Sequence, residues 1–514
     1  MDRRGFLRTA SAALAAGAAA PGLLASCTGS TASTTPSTAT STGALDALAA
    51  KLTGKLLRPG SPTFADENLP ANDAYENIRP QAIALCADAA DVAACVNWCR
   101  NEGVQPAVRG GGHNYVGASA TTGLLIKTTG MNKVSVDRQR GTVTVQAGAL
   151  NADLLIALRG GGQMLPIGTC PTVGVTGLAL GGGIGDNSRW AGMTCDHLLS
   201  TDIVLASGEQ VTASARDNPD LFWACRGGAG GNFGVNTSLT FSLVKLPVRT
   251  ISVYGMLFHG KEAAGAALAA FDKLMLTAPV QLTGFAGLTN QRPLGAEPGQ
   301  PAAASLFPEF SLDGSYIGPV TELRDLLAPV TAAAHPDAFV TAEMEYWTAQ
   351  IEWLAVPELP KHGFAEAARF TNTPLPAAVI ENLIDRVVSA PGGTADAYAE
   401  VRLMCWSGGH VINGVSPAAT AYVHRDSSSL LRPAIWWANT PASLRQDLLG
   451  WMSSAWAYIG PHTQAGAFQN WPYQGIADWR TAYYGANFPR LVSVKKRYDP
   501  ADLFHYSQSI PVSA

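Results

Sequence analysis

The segment between Val108 and Gly185 constrains the fold of this chain more than any other stretch. It opens with Arg109, Gly110, Gly111, Gly112, His113 and Asn114. It then runs through Gly168, Cys170, Val173, Gly174 and Gly177, and closes with Gly181, Gly182, Gly183, Ile184 and Gly185. Residues without a Cβ let backbone N–H groups crowd around a large anionic ligand at little steric cost. One histidine and one cysteine sit inside these turns. They are far apart in sequence, so only a fold can bring them to one ligand.

The chain has 514 residues, more than one ordinary core accommodates, which predicts two domains. Hydrophobic residues make up 47% and charged residues 14%, the balance of a globular protein with large interiors. The net charge of −4, with no long basic run beyond the N-terminus, argues against nucleic acid as a partner. The body of the chain contains no apolar run of membrane-spanning length. The spacing of the 8 cysteines matches no zinc pattern, so no metal site is expected. Cys95 and Cys99, on one turn of an expected helix, read as buried thiols.

The first residues read as an address. Arg3 and Arg4, followed by Phe6, Leu7 and an alanine-rich apolar stretch to about Ala25, resemble a twin-arginine export signal over 1–27. That route carries folded proteins and suits a cofactor inserted before export. Leu24 to Cys27 resembles a lipobox, in which Cys27 becomes a lipid anchor; a plain cleaved signal is the alternative. Residues 28–60, rich in Ser and Thr at their start, read as a linker. The expected location is extracellular or on the cell surface.

Further on, Ile83–Cys86 reads as a strand, and Asp88 as the N-cap of a helix stopped by Gly103. Val134–Asp137 and Thr142–Gln146 alternate like half-buried strands. Asn151 caps a helix to Leu158, Ile203–Glu209 forms a hairpin, and Pro219 opens another helix. This mixture predicts an α+β nucleotide-binding domain over 70–250. Beyond Arg249 the glycine turns thin out. Glu262–Leu276 reads as a helix, Val253–Phe258, Phe307–Gly314 and Ala399–Leu403 as strands, and Gln291–Ala304 as a loop. Residues 251–470 form the expected substrate domain, and 471–514 return to the first.

Two further pieces make the pattern specific: Gly230-Gly-Asn232-Phe233-Gly234, and a tail with Tyr484, Asn487, Arg490, Lys495, Asp499, Phe504, Gln508 and Pro511. Together with the glycine turns they resemble the berberine bridge enzyme-like FAD-linked oxidases, of the vanillyl-alcohol oxidase or p-cresol methylhydroxylase (PCMH) fold. The resemblance covers roughly 70–511 and is weakest in the middle. It implies a two-subdomain PCMH-type FAD-binding domain, plus a substrate domain with an antiparallel sheet flanked by helices. It also implies FAD bonded twice, through His113 to the flavin 8α-methyl carbon and through Cys170 to C6. Arg109 to Asn114, Val173, Gly174, Gly177, Gly181 to Gly183, Gly185, Asn232, Gly234, Tyr484 and Asn487 are then expected to hold the cofactor. The size of Val173 is implied to leave room for dioxygen.

The catalytic base is where the sequence departs from the family. Its usual Tyr-x-Asn-Tyr segment is replaced here by Phe468-Gln-Asn470-Trp471-Pro-Tyr473. Tyr473 takes the role after a register shift, or another group does. Asn413 and His410, after Gly408 and Gly409, are candidates for the substrate side, and His410 titrates near neutrality. Tyr115 is expected to face the substrate beside His113. Trp347, Trp353, Trp406, Trp436, Trp437 and Trp471 are packing or ring-stacking candidates. The leading reading is an exported oxidase. It takes hydride from a hydroxyl-bearing carbon of a carbohydrate or secondary metabolite and passes electrons to dioxygen. The alternatives are a dehydrogenase with another acceptor and a catalytically silent flavin-containing surface protein.

Overall fold

A computed structural model describes residues 41–291, 309–355 and 362–513. The export signal, the lipobox with Cys27, residues 28–40 and most of the Gln291–Ala304 loop lie outside the described residues. The structure is a mixed α+β fold in two domains.

Among the described residues, the first domain has two main sheets and a two-stranded pair, Gln163–Met164 with Val244–Lys245. Lys55–Leu57, Ala82–Leu85, Leu124–Lys127 and Pro106–Arg109 form the first, in that spatial order; its last three strands are parallel. Asp88 caps the helix Ala89–Glu102, and Gly103 ends it at φ +64°. The second sheet is antiparallel, with Val134–Asp137 and Thr142–Gln146 leading to Val235–Ser242, Leu198–Val204 and Gln210–Ser214. The thiols of Cys95 and Cys99 are buried and free.

The linker expectation over 28–60 needs correction at its C-terminal end. Thr42–Ala49 is a helix, with Leu45 and Leu48 buried. Lys55–Leu57 is a strand of the first sheet. The indole of Trp98 donates to Ala44 O at 2.9 Å, and Asp91 accepts from the amides of Thr53 and Gly54. Apolar burial therefore carries the domain back from 70 to about 42.

The second domain is an eight-stranded antiparallel sheet. Its spatial order begins Ala338–Glu345, Thr250–His259, Glu309–Tyr316 and Leu282–Thr289. It continues through Ala397–Met404 and Ser429–Trp437, which pairs with both Gly363–Glu366 and Arg369–Thr371. Strand side chains alternate between two faces. Leu403, Cys405, Ile435 and Trp437 share a core with Leu448 and Met452 of the helix Ala442–Ile459. Met404, Leu430 and Phe285 join a different core, with Ile184 and Met193 of the first domain. Helices thus cover one face, and the other looks onto the glycine turns.

The tail closes the structure. The buried ammonium of Lys495, on the helix Phe488–Tyr498, is held by Asp499 at 2.7 Å and by the carbonyls of Asn232 and Phe504 at 2.9 and 2.6 Å. The return to the first domain starts earlier than position 471: Gln469 and Asn470 already donate to Gly227 O and Leu178 O of that domain.

Candidate active site

One cavity of ≈ 290 Å³ lies between the two domains. The Arg109–Asn114 turn leaves the end of the strand Pro106–Arg109 and forms one wall. A Cβ at Gly111 would stand 2.5 Å from Gly174 N and 2.6 Å from Thr172 O, so only glycine permits the two loops to touch. That contact brings His113 and Cys170 to the same cavity. Nε2 of His113 lies 3.0 Å from Oγ1 of Thr172. Burial pushes the imidazole pKa down to about 4, so the ring is neutral at ordinary pH.

Cys170 is held through its backbone. The buried side-chain amide of Asn151 donates to Cys170 O at 3.0 Å and to Gly168 O at 3.1 Å. Asn151 was expected to cap its helix. Leu150 occupies the cap position instead, with Asp153 accepting from its amide, which frees Asn151 to hold the cysteine loop. The thiol pKa is pushed up to about 11, by burial first and then by the carboxylate of Glu366, with Arg432 opposing. The thiol is therefore protonated until a base takes its proton.

Val173, Gly174, Gly177 and Gly234 also line the cavity, as do Gly110, Gly112 and Asn114. Asn114 accepts from the amides of Val116 and Ala118 and so stiffens the chain after the turn. Tyr484 lines the cavity from the tail, and Tyr115, Trp406, Phe468 and Trp471 complete an aromatic part of the wall.

Several expected cofactor residues sit elsewhere. The guanidinium of Arg109 is spent on Ser119 O and Asn68 O, bracing the turn from behind. Gly181, Gly182, Gly183 and Gly185 are packing positions. Added Cβ atoms there would strike Asn470, Met193, Thr194 and the carbonyl of Ile167. The amide of Asn232 donates to Gly228 O and its oxygen accepts from Ile510 N, tying the tail down. Asn487 donates to the carbonyls of Pro417 and Thr420.

Three catalytic candidates are also displaced. Tyr473 packs on Trp456, and its hydroxyl meets Ser453 Oγ at 3.0 Å, away from the cavity wall. Asn413 and His410 are exposed on the short helix His410–Asn413, where Asn413 donates to Ser427 O. Trp406, just upstream, reaches the cavity, but the helical turn that follows carries both side chains outward. Of the tryptophans, Trp406 and Trp471 reach the cavity, while Trp347, Trp353 and Trp437 are core.

Sequence reasoning missed Glu366, Glu400, Arg402 and Arg432. Arg432 contacts Glu366 with one nitrogen and Glu400 with the other at 2.7 Å; Arg402 meets Glu400 at 2.9 Å. Tyr115 stands close enough to Glu366 for each to shift the other's proton affinity. The available signal was charge at every second position of otherwise apolar strands, as in Glu400-Val-Arg402.

The residues present fit a flavin dinucleotide. A Cβ at the cavity-lining Gly177 would project into open space, and a neutral imidazole and a thiol open on one cavity. Residues 80–214 match an FAD binding domain family, and residues 467–511 match the berberine and berberine-like family. An uncharacterized FAD-linked oxidoreductase of Bacillus subtilis, YgaK, is 30% identical over 90% of this chain and 97% of its own. The chain belongs to the berberine bridge enzyme-like FAD-linked oxidoreductases. A chitooligosaccharide oxidase of Gibberella zeae is 29% identical over 85% of this chain and 88% of its own. A solved glucooligosaccharide oxidase from Acremonium strictum, described as carrying 6-S-cysteinyl, 8α-N1-histidyl FAD, superposes at TM-score 0.80. It is 24% identical and covers 92% of this chain and 100% of that one. The protein is thus an FAD-linked enzyme, and the loops carrying Gly111 and Gly174 meet at the cavity between its domains.

Proposed function

We propose that this enzyme oxidises a hydroxyl-bearing carbon of a carbohydrate or secondary metabolite on FAD bonded to both His113 and Cys170, outside the cytoplasm. The observation that carries the reading is the convergence of the neutral His113 imidazole and the Cys170 thiol on one cavity. FAD, when bound, supplies a two-electron acceptor that dioxygen restores with release of hydrogen peroxide.

The chain's own residues do the rest. The Thr172 contact occupies Nε2 of His113 and leaves Nδ1 as the nucleophile. Asn151 fixes the backbone that carries Cys170. Trp406, Phe468 and Trp471 keep the reacting end of the cavity apolar and exclude water. Val173, small and on the wall, leaves space for dioxygen. The sugar-oxidising relative supports carbohydrate as the first substrate class to test.

Export rests on Arg3, Arg4 and the apolar stretch after them, and a lipid anchor on Cys27. A double tether suits that location, because a cofactor lost outside the cell could not be replaced. The test is acid precipitation of purified protein. Retained yellow colour in the wild type, lost only when His113→Ala and Cys170→Ala are combined, supports the double bond. Flavin wholly in the supernatant contradicts it. For export, Arg3→Lys with Arg4→Lys should hold the protein in the cytoplasmic fraction.

A further inference from the structure

The cavity-side face of the second sheet carries three cross-strand rows. Phe364 and Tyr398 flank Trp436; Glu366 and Glu400 flank Ala434; Arg402 opposes Arg432. An aromatic row thus lies next to two rows of charge on an otherwise apolar face. Glu366, Glu400 and Arg432 are buried. Charges buried this deeply are retained only when paired, and they carry a large desolvation cost. Arg432 answers that cost by bridging the two carboxylates, and its guanidinium lies 5.4 Å from the ring of Trp471 on the cavity wall.

Glu366 itself does not line the cavity; Tyr115 does. The Tyr115 ring meets Phe364 edge-on at 4.9 Å, two residues from Glu366 on the same strand face, and its hydroxyl stands close enough to the Glu366 carboxylate for each group to shift the other's proton affinity. Tyr115 therefore stands between the buried charge and the reacting space.

We propose that Glu366 is the proton acceptor for the alcohol oxidation, reached through the Tyr115 hydroxyl, with Arg432 and Glu400 as positioning residues. The inference rests on the alcohol-oxidation reading above. The substrate O–H bond breaks and its proton goes to Tyr115 Oη, as the Tyr115 proton passes to Glu366. The substrate C–H bond breaks with its electron pair leaving to bound FAD, and a C=O bond forms. Tyr115 ends unchanged, Glu366 ends protonated, and the substrate has lost two electrons and two protons.

Burial raises the Glu366 carboxyl above the ordinary carboxylate range. Arg432 and the Tyr115 hydroxyl oppose the shift, Glu400 adds to it, and Arg402 opposes it. Tyr398 and Cys170 are the other titratable groups facing it. A base whose pKa moves toward neutrality is better matched to accept a proton there. Removing the negative charge of Glu400 lowers the Glu366 pKa, so an acid limb that Glu366 controls moves to lower pH.

The test is stopped-flow reduction of the flavin in holoenzyme by N,N′-diacetylchitobiose, cellobiose and a panel of simple alcohols. Glu366→Gln and Tyr115→Phe are expected to slow reduction about 10²–10⁴-fold, with acid-stable flavin content and melting temperature unchanged. Glu366→Asp should keep part of the rate, and Glu400→Gln should shift the acid limb of the reduction rate to lower pH. Normal reduction in Glu366→Gln, or an unmoved limb in Glu400→Gln, overturns the relay while leaving the alcohol-oxidation reading intact. A wild-type flavin reduced by no member of the panel overturns that reading, and the relay with it.

Discussion

His113 and Thr172 meet across two glycine loops, Nε2 to Oγ1 at 3.0 Å. The contact orients the imidazole and places it two residues from Cys170, so both attachment groups depend on one small piece of structure. Replacing Thr172 with Val leaves the ring unanchored. In a Cys170→Ala background, Thr172→Val is expected to cut the acid-stable flavin fraction severalfold relative to Cys170→Ala alone. Equal fractions would remove Thr172 from the attachment step.

Asn151 plays the corresponding part for Cys170. Its amide reaches Cys170 O and Gly168 O from a fully buried position. Asn151→Ala leaves both carbonyls without that donor, at about 1–3 kcal/mol. The expected outcome is a lower urea midpoint and loss of the Cys170 linkage with retention of the His113 linkage, read by mass spectrometry of flavin-bearing peptides.

The two linkages should respond differently to pH. Burial holds the His113 imidazole neutral down to about pH 4, so its reactive form is constant from pH 5 to 8. The Cys170 thiol is pushed up to about 11, so below that value its thiolate fraction grows tenfold for each unit that the pH rises. With apoprotein from flavin-starved cells, attachment in Cys170→Ala is expected to be flat over this range. Attachment in His113→Ala is expected to accelerate steeply with pH. Parallel profiles would contradict the assignment.

Lys495 locks the tail to the loop at Asn232. Its ammonium and the Asp499 carboxylate are both fully buried. Lys495→Met strands Asp499 without its charge partner, at about 3–5 kcal/mol. Thermal unfolding should shift down by many degrees, and flavin occupancy should fall with it, because Tyr484 and the tail form part of the cavity wall. A variant with wild-type stability would show that the lock is dispensable.

The sequence revealed the cofactor domain through residues whose chemistry is local. Glycine turns, the Asp88 cap, the alternating strand Thr142–Gln146 and the tail motif each carry their own physical signature. His113 and Cys170 came together through the family resemblance, and the structure places both on one cavity. The substrate side was not legible. Glu366, Glu400 and Arg432 become a cluster only through the register of three strands drawn from distant parts of the chain. Asn413, His410 and Tyr473 looked suitable by spacing, but helix phase and the Ser453 contact turn them elsewhere. Glycine misled in one place: Gly181 to Gly185 read as a second ligand cradle, yet that turn is tight because Asn470, Met193 and Thr194 press against it.

The most direct measurement is mass spectrometry of acid-denatured, protease-digested protein. The account predicts one flavin-bearing species that joins the peptide containing His113 to the peptide containing Cys170. Two unmodified peptides, with all flavin recovered as free FAD, would contradict it.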